Sequence, residues 1–417
     1  MTVNNDIPKH WQIKRLGEVC FTTSGGTPNR SQSKYYSGNI PWVKSGELNK
    51  GLITDTEEKI SEEAIKNSSA KLFPKGTLLI ALYGATIGKL AFLGIDAATN
   101  QAVCGIFKNE NINSNYLYHF LYFKKPILAK QSIGGAQPNI SQGILKSLEI
   151  PLPPFSEQLA IVSKIEELLS DLDNGQQQLQ IAQKQLKVYR QSLLKWAFEG
   201  RFGFAHRRSN NIKDSELPKD WKWVKLGDIC HNVEYGSATK SKKIGKVPVL
   251  RMGNIQNGKF DWNDLVFTDD KEEIKKYLLK KNDVLFNRTN SAELVGKTAL
   301  YKGERPAIFA GYLIRINRIE SMIDASYLTY FLNTHFAKSY GNSVRSFGVN
   351  QSNINGTKLK TYPIPICSLK EQQLIVDELE SKLTVCDKIE ETISQSLQQA
   401  ETLRQSILKK AFEGKLV

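Results

Sequence analysis

The sequence predicts an α+β fold: two similar α/β domains separated by two long α-helices that pair within the chain as an antiparallel coiled coil. Three observations carry this expectation. Both halves open alike, with residues 8–20 reading PKHWQIKRLGEVC and residues 218–230 reading PKDWKWVKLGDIC, 210 positions further on. Both halves close alike, with RQSLLKWAFEG at 190–200 returning as RQSILKKAFEG at 404–414, and Glu157-Gln158 returning as Glu371-Gln372, each 214 positions on. The segment before each closing carries apolar residues at alternating steps of four and three, the spacing of a heptad seam. A period of about half the chain marks duplicated domains, since solenoid repeats recur every 20–50 residues.

The first domain, 1–154, holds short apolar runs broken by Gly, Asn and Ser, such as IPWVKSGEL (40–48), GTLLIALYG (76–84) and LEIPLP (148–153). These are expected to be strands joined by turns. YLYHFLYF (116–123) is expected to be a helix, because its aromatic residues recur at three- and four-residue spacing. The first spacer helix, 155–200, has a predicted seam of Ile161, Ile165, Leu168, Leu172, Gly175, Leu179, Ala182, Leu186, Tyr189, Leu193 and Trp196. Pro153-Pro154 block its backward extension, Ser156 is the expected N-cap and Gly200 the expected stop. Gly175 at a seam position is expected to weaken or bend it.

A linker, 201–217, leads to the second domain, 218–368. There VPVLRMGNI (247–255) parallels IPWVKSGEL, with Gly253 at the place of Gly46, and KKNDVLF (280–286) parallels FPKGTLLI. YLTYFLNTHF (327–336) parallels the aromatic helix, and NINGTKLKTYPIPIC (353–367) parallels NISQGILKSLEIPLP (139–153). The second helix, 369–417, has a predicted seam of Ile375, Leu379, Cys386, Ile389, Ile393, Ala400, Leu403 and Ile407. Cys367-Ser368 replaces Pro153-Pro154 before it, which leaves its start less defined. The two helices align without a gap, so the four-residue drift between the offsets falls inside the domains and helix length is itself constrained. A helix of about 40 residues is roughly 60 Å long. Antiparallel pairing would place the domains at opposite ends, related by a pseudo-twofold. Parallel pairing would oblige the 17 residues of the linker to run back along the full helix length, which at about 3.3 Å per residue they barely span.

The chain has 417 residues, 40% of them hydrophobic and 24% charged, with a net charge of +15. That composition describes a soluble chain with an ample core, and its charge favours a polyanionic partner, most simply nucleic acid. No run of about 18 apolar residues suggests a membrane span, and MTVNNDIPKHW lacks the apolar stretch of a secretion signal. The five cysteines, Cys20, Cys104, Cys230, Cys367 and Cys386, form no CxxC pair, and the five histidines form no i,i+4 pair. No metal site is expected, and an odd set of unpaired cysteines suits a reducing cytoplasm.

The order of these motifs, twice over, resembles the specificity subunit of type I restriction–modification enzymes. The residues that carry the resemblance begin with Trp11, Leu16-Gly17-Glu18, Trp221, Leu226-Gly227-Asp228 and the loop Ser24-Gly25-Gly26-Thr27-Pro28. They continue with Gln137-Pro138-Asn139-Ile140, Asn353-Ile354, Pro151-Leu152-Pro153, Pro365, the two Glu-Gln pairs and AFEG at both helix ends. The resemblance covers essentially the whole chain. It implies two target-recognition domains, each reading one half of a split, asymmetric site on double-stranded DNA. It also implies spacer helices that dock two methyltransferase subunits, to which endonuclease/translocase subunits add. The chain itself would be non-catalytic within a DNA adenine methyltransferase and restriction complex and would bind no cofactor. S-adenosylmethionine, ATP and Mg2+ would belong to the partners. The second copy departs from the pattern, with Tyr235-Gly236-Ser237-Ala238-Thr239 in place of SGGTP, as expected if the halves read different bases.

Two competing classes are weighed from the residues. A stand-alone methyltransferase would need Asn or Asp at the head of an NPPF-type motif, to accept a hydrogen bond from the target amino group; Leu152-Pro153-Pro154-Phe155 has Leu there. Gly296-Lys297-Thr298 resembles a phosphate loop, but Ser291 stands where its first Gly is required. Gly84-Ala85-Thr86-Ile87-Gly88-Lys89 is one residue short of the same motif. A duplicated protein-binding adaptor would have no use for the net charge or for two divergent sets of polar loops.

The candidate DNA-binding residues of the first domain are Ser24, Gly25, Gly26, Thr27, Asn29, Arg30, Lys34, Lys44, Tyr83, Thr86, Lys89 and Gln137. Those of the second are Tyr235, Ser237, Thr239, Lys240, Lys242, Lys243, Arg251, Asn254, Arg288, Asn290, Arg345 and Gln351. Lysine neutralises phosphate, arginine forks onto guanine, Asn and Gln pair with adenine, and glycine lets backbone approach closely. The alternative at each position is a solvated surface group. Arg288 and Arg345 rank highest, because they stand in Gly-, Asn- and Ser-rich loops.

Overall fold

A computed structural model describes residues 7–131, 139–202, 217–347 and 351–417. The chain divides into two compact units, residues 1–179 with 395–417 and residues 180–394. In the first unit, five strands lie in the order Thr22–Ser24, Val103–Ile106, Leu78–Ala81, Leu90–Leu93, Leu52–Ile53, antiparallel except for the last pair. A second sheet runs Glu58–Ile60, Ile40–Val43, Ala97–Thr99, Leu72–Phe73, with Ile40–Val43 parallel to Ala97–Thr99. The run Leu78–Ala81 is apolar throughout because both of its faces are covered. Leu79 and Ala81 pack with Val43 and Phe73 of the second sheet. Leu78 and Ile80 point the other way, onto Tyr116 and Phe120 of the helix Ser114–Gln131 and Ile161 and Ile165 of the first long helix. Side chains that alternate across a strand make that two-sided burial possible.

The second unit repeats the scheme. Its strands run Cys230–Tyr235, Leu313–Arg318, Val284–Asn287, Thr298–Leu300, all antiparallel, beside Val266–Thr268, Val247–Leu250, Ile308–Phe309. Phe286 faces the helices and Leu285 the other layer. The expected aromatic helix is here two helices, Ala325–Leu332 and His335–Val344. Thr334 breaks it, since its side chain accepts from Ala337 N and so caps a new helix, while Asn333 Nδ2 donates back to Thr329 O at 2.9 Å.

The repeated openings form strand pairs, Gln12–Arg15 with Glu149–Leu152 and Lys222–Lys225 with Pro363–Ile366. The repeated Glu-Gln pair explains itself by burial. Gln158 and Gln372 are fully buried, and each amide makes three hydrogen bonds. Gln158 donates to Asn111 O and Pro153 O and accepts from Asn113 N; Gln372 donates to Met322 O and Cys367 O and accepts from Asp324 N. Each glutamine thus ties the start of a long helix to the loop before the aromatic helix.

The long helices are Phe155–Phe198 and Leu369–Phe412, 44 residues each. The first starts earlier than a Ser156 cap implies, at Phe155, with Pro154 O accepting from Glu157 N and Gln158 N. The second is capped by Ser368, whose Oγ accepts from Glu371 N at 3.2 Å. Both end in a Schellman turn, Arg201 N to Trp196 O and Lys415 N to Lys410 O, with Gly200 and Gly414 at φ +73° and +68°. The first helix runs unbroken through Gly175, which is exposed, so its expected seam position is not used.

Within each unit the helix segments pack antiparallel. In the first unit, Arg404 pairs with Asp173 and with Gln176 Oε1 at 3.2 Å, while the later residues Leu408 and Phe412 share a core with the earlier Ile161 and Ile165. In the second unit, Arg190 pairs with Asp387 at 2.7 Å and Glu390 at 3.0 Å, while Leu193 and Ala197 share a core with Ile375 and Leu379. Arg190 and Arg404 are 214 apart, as are Asp173 and Asp387, so the same polar layer is built twice. Four of the expected seam positions, Gly175, Tyr189, Ile389 and Leu403, are each corrected by one residue. Leu172, Leu179, Leu186, Leu193, Cys386 and Ile393 hold, but Tyr189, Ile389 and Leu403 are 44%, 44% and 52% exposed. The alternate seam positions belong to Gln176, Arg190, Glu390 and Arg404, whose stems pack inward while their heads pair. An apolar-only reading passes over them.

All five cysteines are buried and free, and burial pushes the Cys20 and Cys104 thiols up to about 11. Among the described residues no helix is long and apolar enough to cross a membrane. His119, on the aromatic helix, is held down to about 4 by burial and by the nearby Arg404. Its ordinary value is 6.5, so between these two values the unfolded chain binds the extra proton. Stability from this group is therefore complete above pH 6.5 and falls as pH drops toward 4. At pH 5 the loss is expected to reach up to about 2 kcal/mol. The variant His119→Asn should flatten that part of the profile, read as the difference in melting temperature between about pH 7.5 and about pH 5.

Candidate nucleic-acid interface

One backbone frame is built in both units. In the first, Gly25 N donates to Val103 O, Gly26 N to Thr99 O, Leu82 N to Ala102 O and Ile140 N to Leu82 O, at 2.8–3.2 Å. In the second, Gly236 N donates to Leu313 O, Ser237 N to Phe309 O, Arg288 N to Tyr312 O and Ile354 N to Arg288 O, at 2.8–3.3 Å. These bonds match Ser24 with Tyr235, Leu82 with Arg288, Ala102 with Tyr312 and Gln142 with Gly356. The frame is shared and the side chains differ. Even the tie across it survives in altered chemistry: Gln142 Nε2 donates to Ser24 Oγ at 2.7 Å, and Gly356 N to Tyr235 Oη at 2.7 Å.

Several expected contact residues belong to this frame and not to the surface. A Cβ on Gly25 would overlap the carbonyl of Thr99, and one on Gly26 the backbone of Ser69, so these glycines admit neighbouring backbone rather than a ligand. Ser237 is 6% exposed, and its Oγ accepts from Thr239 N. Asn254 is 3% exposed; its Oδ1 accepts from Arg251 N and its Nδ2 donates to Asp261 O and Asn263 O. Asn29 and Thr86 stay on the surface but are locally engaged, Asn29 Oδ1 accepting from Ser31 N and Oγ and the Thr86 hydroxyl donating to Tyr83 O.

A second group is exposed but already ion-paired. Arg30 lies over the rings of Tyr36 and Trp42, 4.4 and 5.0 Å from their centroids, and bonds Glu58 at 2.6 Å. Lys44 bonds Glu57 at 2.7 Å and Glu58 at 3.1 Å, and Lys34 bonds Glu63. Arg30, then Lys44, hold the Glu58 carboxyl below its usual range. In the second unit Lys242 pairs with Asp269 at 3.3 Å and Arg251 with Asp264 at 3.1 Å. A phosphate reaching these cations competes with a carboxylate.

The remaining candidates gather. In the second unit the short strands Thr289–Asn290, Ser352–Asn353 and Ser346–Phe347 form one small sheet, which brings Asn290, Gln351 and Arg345 together. Arg345 Nη1 donates to Ala292 O at 3.2 Å and to Asn342 Oδ1 at 2.6 Å. Arg288 stands beside this sheet, its guanidinium 4.9 Å from the Tyr235 centroid and its Nη1 donating to Gly311 O at 3.1 Å. Next to it the half-exposed Tyr312, which sequence reasoning misses, presents its ring. In the first unit Tyr83 bridges to Asn139, and Ser24, Thr27 and Thr86 stand nearby with Gln101 and Gln142, which sequence reasoning also misses. The repeat alignment is the signal that could find these three, since each stands at a frame position. Lys89 is half-buried in its turn, and Thr239, Lys240 and Lys243 are exposed on a separate loop. Gln137 lies outside the described residues.

Comparison with known proteins gives this twice-built frame a family. Residues 8–183 and 218–399 each match the family model of the type I restriction modification DNA specificity domain. The chain is 26% identical to the type I restriction enzyme StySPI specificity subunit of Salmonella potsdam, over 98% of this chain and 90% of that one. It is likewise 26% identical to the EcoKI specificity subunit of Escherichia coli, with the same coverage. A chain solved in work on assembly of the type I restriction–modification system shares the fold, with a TM-score of 0.74, 21% identity and coverage of 98% and 99%. The HsdS subunit of Thermoanaerobacter tengcongensis shares it at a TM-score of 0.51 and 20% identity, over 98% of each chain. Matched over both halves, the chain belongs to the specificity subunits of type I restriction–modification systems, the components that supply DNA specificity and not catalysis.

Proposed function

We propose that this subunit recognises a bipartite, asymmetric site on double-stranded DNA, one half by each domain, and docks two methyltransferase subunits on its helices. Endonuclease/translocase subunits join through the methyltransferases. S-adenosylmethionine, ATP and Mg2+ belong to those partners, and the complex works in the cytoplasm. The observation that carries this reading is the shared frame with unlike side chains at matched positions, Ser24 against Tyr235 and Leu82 against Arg288. Unlike fillings make unlike half-sites. The repeated AFEG segments have an internal cause for their sameness, since Ala197, Phe198, Ala411 and Phe412 are buried. A docking partner therefore meets their outward neighbours Lys195 and Lys409.

The variant Arg288→Ala tests this in the assembled complex. Loss of one base-reading arginine costs about 1–3 kcal/mol of discrimination at one position. The methylated motif should degenerate at a base of one half and stay intact in the other. An unchanged motif, or equal degeneration of both halves, would count against one domain reading one half. A complex that assembles normally yet places no methyl groups through this chain would favour the protein-only adaptor.

A further inference from the structure

The loop between the strands Cys230–Tyr235 and Val247–Leu250 carries Ile244, which at 86% exposure is the most exposed large hydrophobic side chain among the described residues. The turn that presents it is pinned on every side. Lys242 N donates to Phe267 O and Phe267 N to Lys242 O, both at 2.8 Å. Asp269 Oδ1 accepts from Lys246 N at 2.9 Å, and its Oδ2 accepts from Lys242 Nζ at 3.3 Å. Gly245 lies so close to the strand Val266–Thr268 that a Cβ on it would stand 2.8 Å from Phe267 Cβ. The first domain builds the same return. Gly38, likewise two residues ahead of its strand, would bring a Cβ to 2.2 Å from Ser61 Cα. The residue before the glycine is Ser37 there and Ile244 here, and both are exposed. The local fold therefore asks for no apolar side chain at this place. One exposed isoleucine is ordinary on a protein surface; this one stands in a cationic setting. The segment KSKKIGK at 240–246 holds four lysines in seven residues, all exposed. Asp269 engages Lys242, while Lys240 and Lys243 make no ion pair among the described residues.

We propose that Ile244 is a wedge that enters the minor groove of DNA beside the half-site of the second domain, with Lys240 and Lys243 on the flanking phosphates; this rests on the DNA-reading function above. The loop starts at the reading cluster, since Gly311 N donates to Ser237 O at 2.7 Å and Arg288 Nη1 to Gly311 O at 3.1 Å. From Ser237, bridged to Ala310 beside Ile308–Phe309, it crosses the three-stranded sheet to Lys242, bridged to Phe267 on the opposite edge. Four strand spacings of about 4.8 Å make roughly 19 Å, and the five residues from Ser237 to Lys242 reach about 18 Å at most. The tip thus stands about half a helical turn of DNA, roughly 17 Å, from the cluster. Half a turn along one face of a duplex, the other groove comes round. With Arg288 at base edges in the major groove, where arginine discriminates guanine, Ile244 meets the minor groove. Isoleucine is one of the side chains that part a base step there and kink the duplex, by about 20–90°. Lysines beside it neutralise the phosphates that the kink draws together.

The test uses the full chain assembled with its methyltransferase subunits on a duplex carrying its methylated motif. Because Ile244 is so exposed, Ile244→Ser, which installs the residue type of the first domain, leaves folding untouched. Three readouts are taken: the bend, from energy transfer between dyes at the duplex ends; base unstacking, from 2-aminopurine placed at successive positions; and affinity. The wild-type complex should bend the duplex and brighten the probe about five base pairs from the base whose specification depends on Arg288. Ile244→Ser should abolish that brightening, straighten the duplex and weaken binding about tenfold, while Ile244→Leu keeps all three. Brightening at the methylated base itself, where a base leaves the stack for the methyltransferase, should persist in Ile244→Ser. Equal bend, brightening and affinity in Ile244→Ser and wild type would overturn the wedge and leave DNA reading intact. So would a defect of Ile244→Ser confined to assembly with the methyltransferase, which would make the tip a protein contact. A wild-type complex with no preference for any duplex sequence would sink the DNA-reading function itself.

Discussion

Phe412→Ala is expected to destabilise the first unit by about 3–5 kcal/mol and to free the end of the second long helix from it. Phe412 is 3% exposed. Its ring meets Tyr116 and Phe120 edge-on, both at 5.2 Å between centroids, and stacks on Phe123 at 5.7 Å. It also closes a helix whose stop, Gly414, is packed against Pro8 and Trp11. Removing the ring leaves a cavity lined by three aromatic residues that cannot collapse without moving the helix Ser114–Gln131. Two readouts separate this from a general loss of stability: the unfolding transition of the first unit, and proteolytic cleavage near the end of the helix. Phe198 is the counterpart, at 4.9 Å from Tyr327 and 5.2 Å from Phe331. Phe198→Ala should repeat the effect in the second unit and leave the first in place. If both variants unfolded like the wild type, the view that each helix end is an anchor would be wrong.

The frame of this protein is legible in its sequence because the chain supplies its own comparison. Trp11, Leu16, Tyr116 and Gln158 each recur in the second half, and each is buried with a matching partner there. Residues kept twice are kept for packing, so repetition finds the core. At AFEG, burial of Ala197, Phe198, Ala411 and Phe412 gives the sameness an internal cause as well. Most of the seam is legible. Leucine and isoleucine positions announce themselves, but Gln176, Arg190, Glu390 and Arg404 occupy seam sites through their stems, and heptad counting by apolarity steps past them to Gly175, Tyr189, Ile389 and Leu403.

The site is legible as a location and much less so as a set of residues. A glycine in a turn looks the same whether it admits a phosphate or the carbonyl of Thr99, and only the three-dimensional neighbour decides for Gly25. The cations Arg30, Lys34 and Lys44 look available in sequence because the acids that hold them, Glu57, Glu58 and Glu63, come from later segments. Asn254 has the chemistry to read adenine, but its carbonyl and amide are fully engaged with the backbone of 251–263. Conversely, Tyr312 stands in no recognisable motif, and it matters because the frame brings its backbone carbonyl onto Arg288 N.

The measurement that bears most directly on the central claim is methylation mapping in cells that carry the cognate methyltransferase, with and without this chain. Two domains with one frame and unlike fillings predict a methylated motif that is split, non-palindromic and present only with the chain. The two specified tracts should be separated by unspecified bases, since each domain presents its own reading face. A host expressing both proteins, soluble and co-purifying, whose methylation pattern is the same with and without the chain would contradict the account. A palindromic, unsplit motif would contradict it too, because equal half-sites require equal fillings.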